Sequence, residues 1–508
     1  MQVFLSSGGR RTLFARDVHL YEVCDRLTAG LIFFMLVFSP WAFGTTQEWS
    51  IATMNLCGYA LGGLLGFKLL IRRLKGYTPA GGAGGGGSPF GRYDWPTSAF
   101  LTHALAALTV AILLYCLIAA LNARARFNTL SNELQYRACL TWLPHSLDSR
   151  STWQVFWRLL ALGCAFWATC DWLNGSSAFE RNVRQQSPEV AEADGILPTR
   201  LKQLLFVVVL SGGLLAAEGI VQRLAHSPKL LFLIQPEIHQ SAETQFASFA
   251  YRGNGAQYFN LLWPVGFGFW WAYRRSRNST ALCSGLLLAC TIVMAAGPII
   301  SSARGGALAA VAMLTMLTFS FLASARSRIL DNRATKRTSI VLLLLFLFCS
   351  IGLGAALGWK NLAPRFDDLG SALRDRNELC EQAQLIARDY PFYGTGPGTF
   401  ECVFGLYRSS ADAYWPSQLH NDWLELRITF GWGGSVLVLL ALLLVVVSCF
   451  VRGARQSDRG LVFCLALAML GCLVQARWDF PLQVYAIQFL FTAWCAALFS
   501  SPFRSGTL

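Results

Sequence analysis

The sequence is poor in charged residues. Only 14% of its 508 residues are Asp, Glu, Lys or Arg, whereas soluble domains carry roughly a quarter, and 54% are hydrophobic. So few charges could not cover the surface of a water-soluble globule of this size. The apolar residues form long runs such as 340–359 and 434–451, which approach the roughly 20 residues that a helix needs to cross hydrocarbon. This scarcity of charge excludes a soluble protein and predicts an all-α integral membrane protein.

The sequence also lacks the patterns of metal, redox and nucleic-acid sites. None of its 15 cysteines forms a CxxC pair, and no carboxylate or histidine cluster has ligand spacing, so we expect neither metal nor cofactor. The net charge of +14 comes from short basic clusters between apolar runs, which argues against a nucleic-acid partner. A cleavable signal pattern is missing too. Only Cys380 and Cys402 share a large hydrophilic segment, and a disulfide between them stays open.

The apolar runs predict twelve membrane spans. They are 27–44, 51–71, 98–121, 153–173, 203–223, 256–273, 280–300, 305–323, 339–358, 433–451, 460–475 and 483–500. The resulting organisation is a cytoplasmic N-terminal segment (1–26), spans one and two (27–75), a Gly-rich flexible linker (76–96), spans three to nine (97–358), a loop domain (359–432), and spans ten to twelve with a short tail (433–508).

The basic clusters predict the orientation. They fall at 72–75, 274–277, 326–337 and 452–459, in loops that lie on one side of the membrane. The positive-inside rule places these loops and both termini in the cytoplasm. Segments 225–255, 301–306 and 359–432 then face the outside of an inner (cytoplasmic) membrane. The connection 122–152 carries four arginines yet falls outside, against the rule.

The large loop is the one soluble segment long enough to fold locally. An amphipathic helix is predicted over 373–389, ended by the Pro- and Gly-rich stretch 389–398. That stretch contains GTGPG at 394–398 but lacks the other parts of a nucleotide-binding loop, so a turn is expected. A second helix is predicted from Gln418 into the tenth span. Its spacing would put four side chains on one face: His420, Trp423, Leu424 and Arg427.

Three polar residues on the predicted outer face could carry chemistry. Arg304 lies in a very short turn between apolar spans, where an arginine is costly and therefore suggests an anionic partner. Arg252 precedes another span, where an arginine can also simply extend towards the lipid headgroups. Two outward-facing guanidinium groups suit a diphosphate. His420 could act as a base near neutral pH, although a lone histidine is more often a surface residue.

Together these elements resemble the O-antigen ligase and polymerase superfamily. The resemblance covers about residues 200–450 and rests on four elements in order. They are Arg252-Gly253 before a span, the turn 302–306, Arg376 with the Asp-x-Pro-x-x-Gly-x-Gly-x-Gly-x-Phe stretch 389–400, and His420-Asn421 leading to 431–434. The chain departs from the family at Cys380, where a tryptophan is usual, and carries one inserted alanine in the turn.

The resemblance implies a membrane glycosyltransferase with a GT-C-like architecture. Such an enzyme moves a glycan from a polyprenyl diphosphate carrier to the hydroxyl of a lipid- or glycan-linked acceptor, without a metal and with inversion. Arg252 and Arg304 would hold the diphosphate, and His420 would accept or orient the acceptor proton. Arg376 would support the loop helix, and Arg376 and Arg427 are further candidates for substrate binding.

Two alternatives stay open. A polymerase of the same superfamily would join lipid-linked repeat units with the same residues, since only the acceptor differs. A solute transporter would belong to another class, and transporters commonly show internal repeats and charges at mid-membrane. The sequence has no convincing repeat, and its candidate charges cluster at one interface. Both features favour the enzyme.

Overall fold

The computed structural model describes residues 13–77, 96–128, 130, 133–175, 197–276, 279–327, 333–367, 369–408, 417–452 and 459–500. Most of the predicted Gly-rich linker therefore lies outside the described residues. The helices are α1 (Ala15–Trp41), α2 (Glu48–Lys75), α3 (Pro96–Leu121), α4 (Ser149–Asn174), α5 (Thr199–Leu224), α6 (Arg252–Arg275), α7 (Ala281–Ile300), α8 (Arg304–Ser327), α9 (Arg333–Leu362), α10 (Pro364–Asp367), α11 (Leu369–Asp389), α12 (Phe400–Phe404), α13 (Asp422–Arg452), α14 (Arg459–Gln475) and α15 (Tyr485–Phe499). Strands β1 (Ala125–Asn128) and β2 (Glu133–Tyr136) pair antiparallel, with Ala125 opposite Tyr136.

Each of the twelve predicted spans overlaps one helix of the described part. Among the described residues, eight helical segments are long and apolar enough to cross a membrane: Ala15–Trp41, Glu48–Lys75, Ala99–Leu121, Thr199–Leu224, Ala281–Ile300, Arg304–Ala323, Arg337–Leu362 and Asp422–Val451. Two further helices, α14 and α15, are apolar but shorter. The chain is thus an α-helical membrane protein, as the composition predicts, and the count of twelve crossings remains a prediction.

Helix α6 forms the centre of the bundle. Every residue from Gly253 to Trp270 is buried, and α6 packs against α7, α8, α14 and α15. Its neighbours replace lipid around it, which explains why it tolerates Asn260 and other polar residues that lower its hydropathy. The Asn260 side chain donates to the Gly306 carbonyl on α8, at 2.9 Å. Burial among protein side chains therefore places a polar helix face in the middle of an apolar bundle.

The N-terminal helix begins earlier than predicted. Residues 15–26 were expected in a polar cytoplasmic segment, but they form the first turns of α1 and pack into the bundle. Asp25 pairs with Lys68 at 2.7 Å and with Arg200 at 2.6 Å, while Lys68 also pairs with Asp171 at 2.6 Å. Hydropathy counts these charges without their partners, so the predicted span 27–44 covers only part of α1.

The arginine-rich connection 122–152 lies at the same end of the bundle as the large loop. The Leu147 amide donates to the Thr395 carbonyl at 2.8 Å, and the Thr152 hydroxyl donates to the Pro397 carbonyl at 2.9 Å. A Cβ at Gly396, whose φ is +109°, would collide with Ser146. The GTGPG stretch is therefore a turn against which the connection 122–152 packs. The contacts agree with the predicted placement of 122–152, while the side of the membrane remains a prediction.

The loop helices differ from prediction at one point. Helix α11 buries Ala383 and Ile386 as expected, whereas Leu373 is exposed. The second helix, α13, begins at Asp422 rather than near Gln418. His420 precedes it in the left-handed region, with φ of 55°, so the prediction that His420 shares a helix face with Arg427 is wrong. The Asn421 side chain accepts from the Leu424 amide and caps the helix instead, which moves its start.

Reporter fusions test the orientation. A fusion near Ser410 should behave as extracytoplasmic and one near Arg333 as cytoplasmic, because the basic clusters hold the opposite loops inside. The measurement is paired alkaline phosphatase and green fluorescent protein activity in whole cells. If both positions report the same side, the number of crossings between them is not odd and the assignment fails.

Candidate functional site

Arg252 and Arg304 occupy equivalent places in two neighbouring helices. Each is the first residue of its helix, α6 and α8. Ala256 lies one turn after Arg252 on the same face, and a Cβ at Gly306 would collide with the Ala256 side chain. The two helix starts are thus packed together, and only glycine at 306 allows this approach. The arrangement brings together two helix starts, each of which carries an arginine and a positive helix end.

The guanidinium groups are held by backbone carbonyls of the surrounding loops. Arg252 Nη1 donates to the Glu243 carbonyl at 2.9 Å, and Arg304 Nη1 donates to the Arg365 carbonyl at 2.6 Å. Both arginines are partly exposed. Since neither guanidinium is hydrogen-bonded to a carboxylate in these contacts, its charge is still available to an anion. The structure also brings Arg365, which the sequence did not single out, to the Arg304 turn.

His420 is paired with a carboxylate. Its Nδ1 lies 3.2 Å from Asp479 Oδ1. Two hydrogen bonds hold the segment that carries His420 against the segment that carries Asp479. The Asp422 amide donates to the Ala476 carbonyl at 2.8 Å, and the Leu482 amide donates to the Asp422 carboxylate at 2.9 Å. A carboxylate on Nδ1 orients the ring and leaves Nε2 as the nitrogen for a reacting group.

An aromatic cluster joins His420 to Arg252. The Tyr251 and Phe480 rings are stacked, with centroids 5.5 Å apart, and the His420 ring meets Phe480 edge-on at 4.8 Å. The centroids of the His239 and Tyr251 rings are 5.4 Å apart. Burial raises the pKa of Tyr251 above its ordinary value, and burial together with nearby His420 lowers the pKa of His239. The cluster keeps Tyr251 neutral and fixes the distance between the histidine and the start of α6.

The two further predicted arginines lie in different surroundings. Arg376 Nη1 donates to the Trp478 carbonyl at 2.7 Å, beside Asp479, and its side chain also hydrogen-bonds Tyr251. Arg376 is thus part of the same cluster. Arg427 donates to the Pro391 carbonyl at 2.9 Å, and its guanidinium carbon lies over the Trp432 ring, 4.3 Å from the ring centroid. Its guanidinium faces the Pro391 turn rather than the Asp479 segment.

The cysteines and carboxylates make no metal or disulfide site in the part of the chain that the structure describes. No group of three or more His, Cys, Asp or Glu residues could hold a metal there. Cys380 and Cys402 are both free thiols in the structure. Burial raises the pKa of the Cys402 thiol to about 12, so it stays protonated at neutral pH.

Sequence reasoning missed Asp479 and Tyr251. A signal for Asp479 was present, because 476–482 joins the eleventh and twelfth predicted spans on the same side as the large loop. Asp479 is the one carboxylate in that connection. A search for an acidic partner of His420 among the outer loops could have found it. Tyr251 had no comparable signal, since its role depends on a ring contact with a residue more than two hundred positions away.

The comparisons with known proteins agree with the motifs. A family model described as O-Antigen ligase matches residues 289–439, which include Arg304, Arg376 and His420. Arg252 and Asp479 lie outside the matched residues. No curated protein matches the chain significantly. The resemblance inferred from the four motifs is confirmed over this part of the chain: residues 289–439 are similar to the O-antigen ligase family, and the apolar helices agree with a multi-pass membrane protein.

Proposed function

We propose that this protein is a membrane glycosyltransferase that moves a glycan from a polyprenyl diphosphate carrier to an acceptor hydroxyl during surface polysaccharide assembly. The observation that carries the proposal is the convergence of two arginine-bearing helix starts with a His–Asp pair. Arg252 and Arg304 begin α6 and α8, and His420 with Asp479 lies beside the first turn of α6. A Cβ at Gly253 would lie 3.0 Å from Asp479 Oδ2.

The arginine pair matches the leaving group. A diphosphate gains negative charge as its bond to the sugar breaks, so donors fixed in advance stabilise the transition state more than the ground state. Guanidinium groups bind phosphoryl oxygens with two parallel hydrogen bonds, and the helix starts add their own positive partial charge. Both effects act on the same anion, which supports a lipid-linked diphosphate as donor.

The His–Asp pair matches the acceptor. The acceptor oxygen forms a bond to the anomeric carbon while the bond from that carbon to the diphosphate oxygen breaks, and the diphosphate leaves with the electron pair. His420 Nε2 takes the hydroxyl proton, and Asp479 stabilises the imidazolium that results. A single displacement inverts the anomeric centre. In this scheme no metal is needed, because the arginines neutralise the leaving group.

The supporting arginines divide between the site and the loop. Arg376, with contacts to the Trp478 carbonyl and to Tyr251, holds α11 against the segment that carries Asp479. Arg427 holds the Pro391 turn. We therefore place Arg376 beside the substrate and Arg427 in support of the loop. A polymerase would use the same residues with a second lipid-linked glycan as acceptor. Transport is less well supported, because the candidate site residues Arg252, Arg304 and His420 gather at one end of the bundle.

Reconstitution tests the proposal together with its metal independence. The purified full chain in nanodiscs should transfer glycan from a synthetic polyprenyl diphosphate oligosaccharide to an outer-core glycolipid, or to a second lipid-linked unit if it is a polymerase. Product is measured by mass spectrometry of the glycolipid. Activity should be the same with and without EDTA. Loss with EDTA and recovery on adding a divalent ion would contradict the metal-free mechanism, and no transfer to either acceptor would contradict the function.

A further inference from the structure

The packing of α6 against α14 places two buried glutamines, Gln257 and Gln475, at the same level of the bundle. Helices α6 and α14 pack antiparallel: a Cβ at Gly268 would lie 2.8 Å from the Cys464 side chain, and Gly253 meets Asp479 at the other end. Gln257 lies eleven residues before Gly268, and Gln475 lies eleven residues after Cys464. Eleven residues make about three helical turns, so both side chains return to the shared face at the same level.

The same level contains the Arg304 turn. A Cβ at Gly305 would lie 3.9 Å from Gln475 Nε2. Gln257 follows Ala256, whose side chain packs on Gly306. The site therefore has two layers along α6: His420, Asp479 and Tyr251 near its first turn, and the Arg304 turn with the two amides one turn deeper in the bundle.

Neither amide is satisfied within the described part of the protein. Gln257 is 1% exposed and Gln475 is 5% exposed. The oxygen and nitrogen of both amides have no hydrogen-bond partner among the described residues. A buried polar group without a partner destabilises the fold and calls for an explanation, such as a bound ligand. Leucine would fill either position without this penalty, which points to a ligand as the reason for the amides.

We infer that Gln257 and Gln475 are neutral hydrogen-bond donors to the phosphoryl oxygens of the lipid-linked diphosphate. The inference rests on the proposed function and deepens it. The polyprenyl tail points into the bundle, the diphosphate lies at the level of the Arg304 turn, and the sugar carbon lies above it beside His420. Neutral donors add contacts to the oxygens that the two guanidinium groups leave uncovered, without adding further positive charge to a buried layer.

Leucine substitutions separate binding from stability. Gln257→Leu and Gln475→Leu should each weaken binding of farnesyl diphosphate about tenfold, the usual worth of a hydrogen bond to a charged group. Thermal stability should stay unchanged or rise, because an unpaired buried amide is replaced by an apolar side chain of similar shape. Binding is measured by isothermal titration calorimetry on the full chain in nanodiscs, and unfolding by differential scanning fluorimetry. If the Gln475→Leu variant does not fold, Gln475→Met serves the same purpose.

Control variants distinguish failure of this inference from failure of the proposed function. Gln488→Leu, a partly buried glutamine on α15, should bind farnesyl diphosphate as the wild type does. If Arg304→Ala loses binding while both glutamine variants keep it, the inference is overturned and the proposed function stands. If the wild type itself does not bind farnesyl diphosphate, the diphosphate site fails, and the inference fails with it. Reduced binding accompanied by an equal loss of folded protein in both glutamine variants would also overturn the inference, because the amides would then be structural.

Discussion

His420→Ala is expected to lower glycan transfer by about 10²–10⁴-fold, the usual contribution of general acid–base assistance. Donor binding should change little, because His420 meets the acceptor while the arginines hold the diphosphate. The reason lies in the pairing with Asp479, 3.2 Å from Nδ1, which leaves Nε2 to take the acceptor proton. Turnover and donor affinity are measured side by side on purified variants in nanodiscs.

Two companion variants separate catalysis from packing. Asp479→Asn keeps a hydrogen-bonding side chain but removes the charge that stabilises an imidazolium, so it should lower turnover less than His420→Ala. His145→Ala removes a histidine at the same end of the bundle, where Nδ1 lies 3.2 Å from the Leu143 carbonyl, and should leave transfer unchanged. Normal transfer by His420→Ala would return His420 to a packing role against Phe480.

Arg304→Ala is expected to weaken donor binding about 10- to 100-fold, since a hydrogen bond to a charged group contributes about 1.5–3 kcal/mol. Arg304→Lys should lose most of the same affinity. Lysine keeps the charge, but its ammonium is a point charge and cannot reproduce the planar fork that binds two phosphoryl oxygens. Both variants should still fold, because the side chain is only partly buried. Affinity for farnesyl diphosphate and for a full glycan donor gives the measurement.

A matched exchange at an exposed position controls for charge alone. Arg150→Lys, in the first turn of α4 at the same end of the bundle, should bind donor normally. Should Arg304→Ala bind the donor with wild-type affinity, the diphosphate would have to lie elsewhere. Arg365 and Arg376 would be the next residues to substitute, because the structure brings both to the same cluster.

The sequence by itself determined the class of the protein and the approximate positions of its helices. Low charge and long apolar runs leave helical membrane segments as the main solution, since a lipid-exposed backbone must satisfy its hydrogen bonds within the segment. The motifs could be recognised from the sequence because each one lies within a short stretch of the chain. A turn as short as 301–306 must place Arg304 next to a helix start, and the Pro–Gly stretch at 389–398 must end α11.

Only the tertiary structure decided which residues meet. The partner of His420 is 59 residues away on another loop, and no periodicity links the two positions. The start of α13 depended on the Asn421 cap and on the Asp422–Ala476 contact, which moved His420 out of the helix. The shared level of Gln257 and Gln475 follows from the register of two antiparallel helices. The register of α6 against α14 is set by the close packing of Gly268 against Cys464. This contact could not be predicted from the sequence of either helix alone.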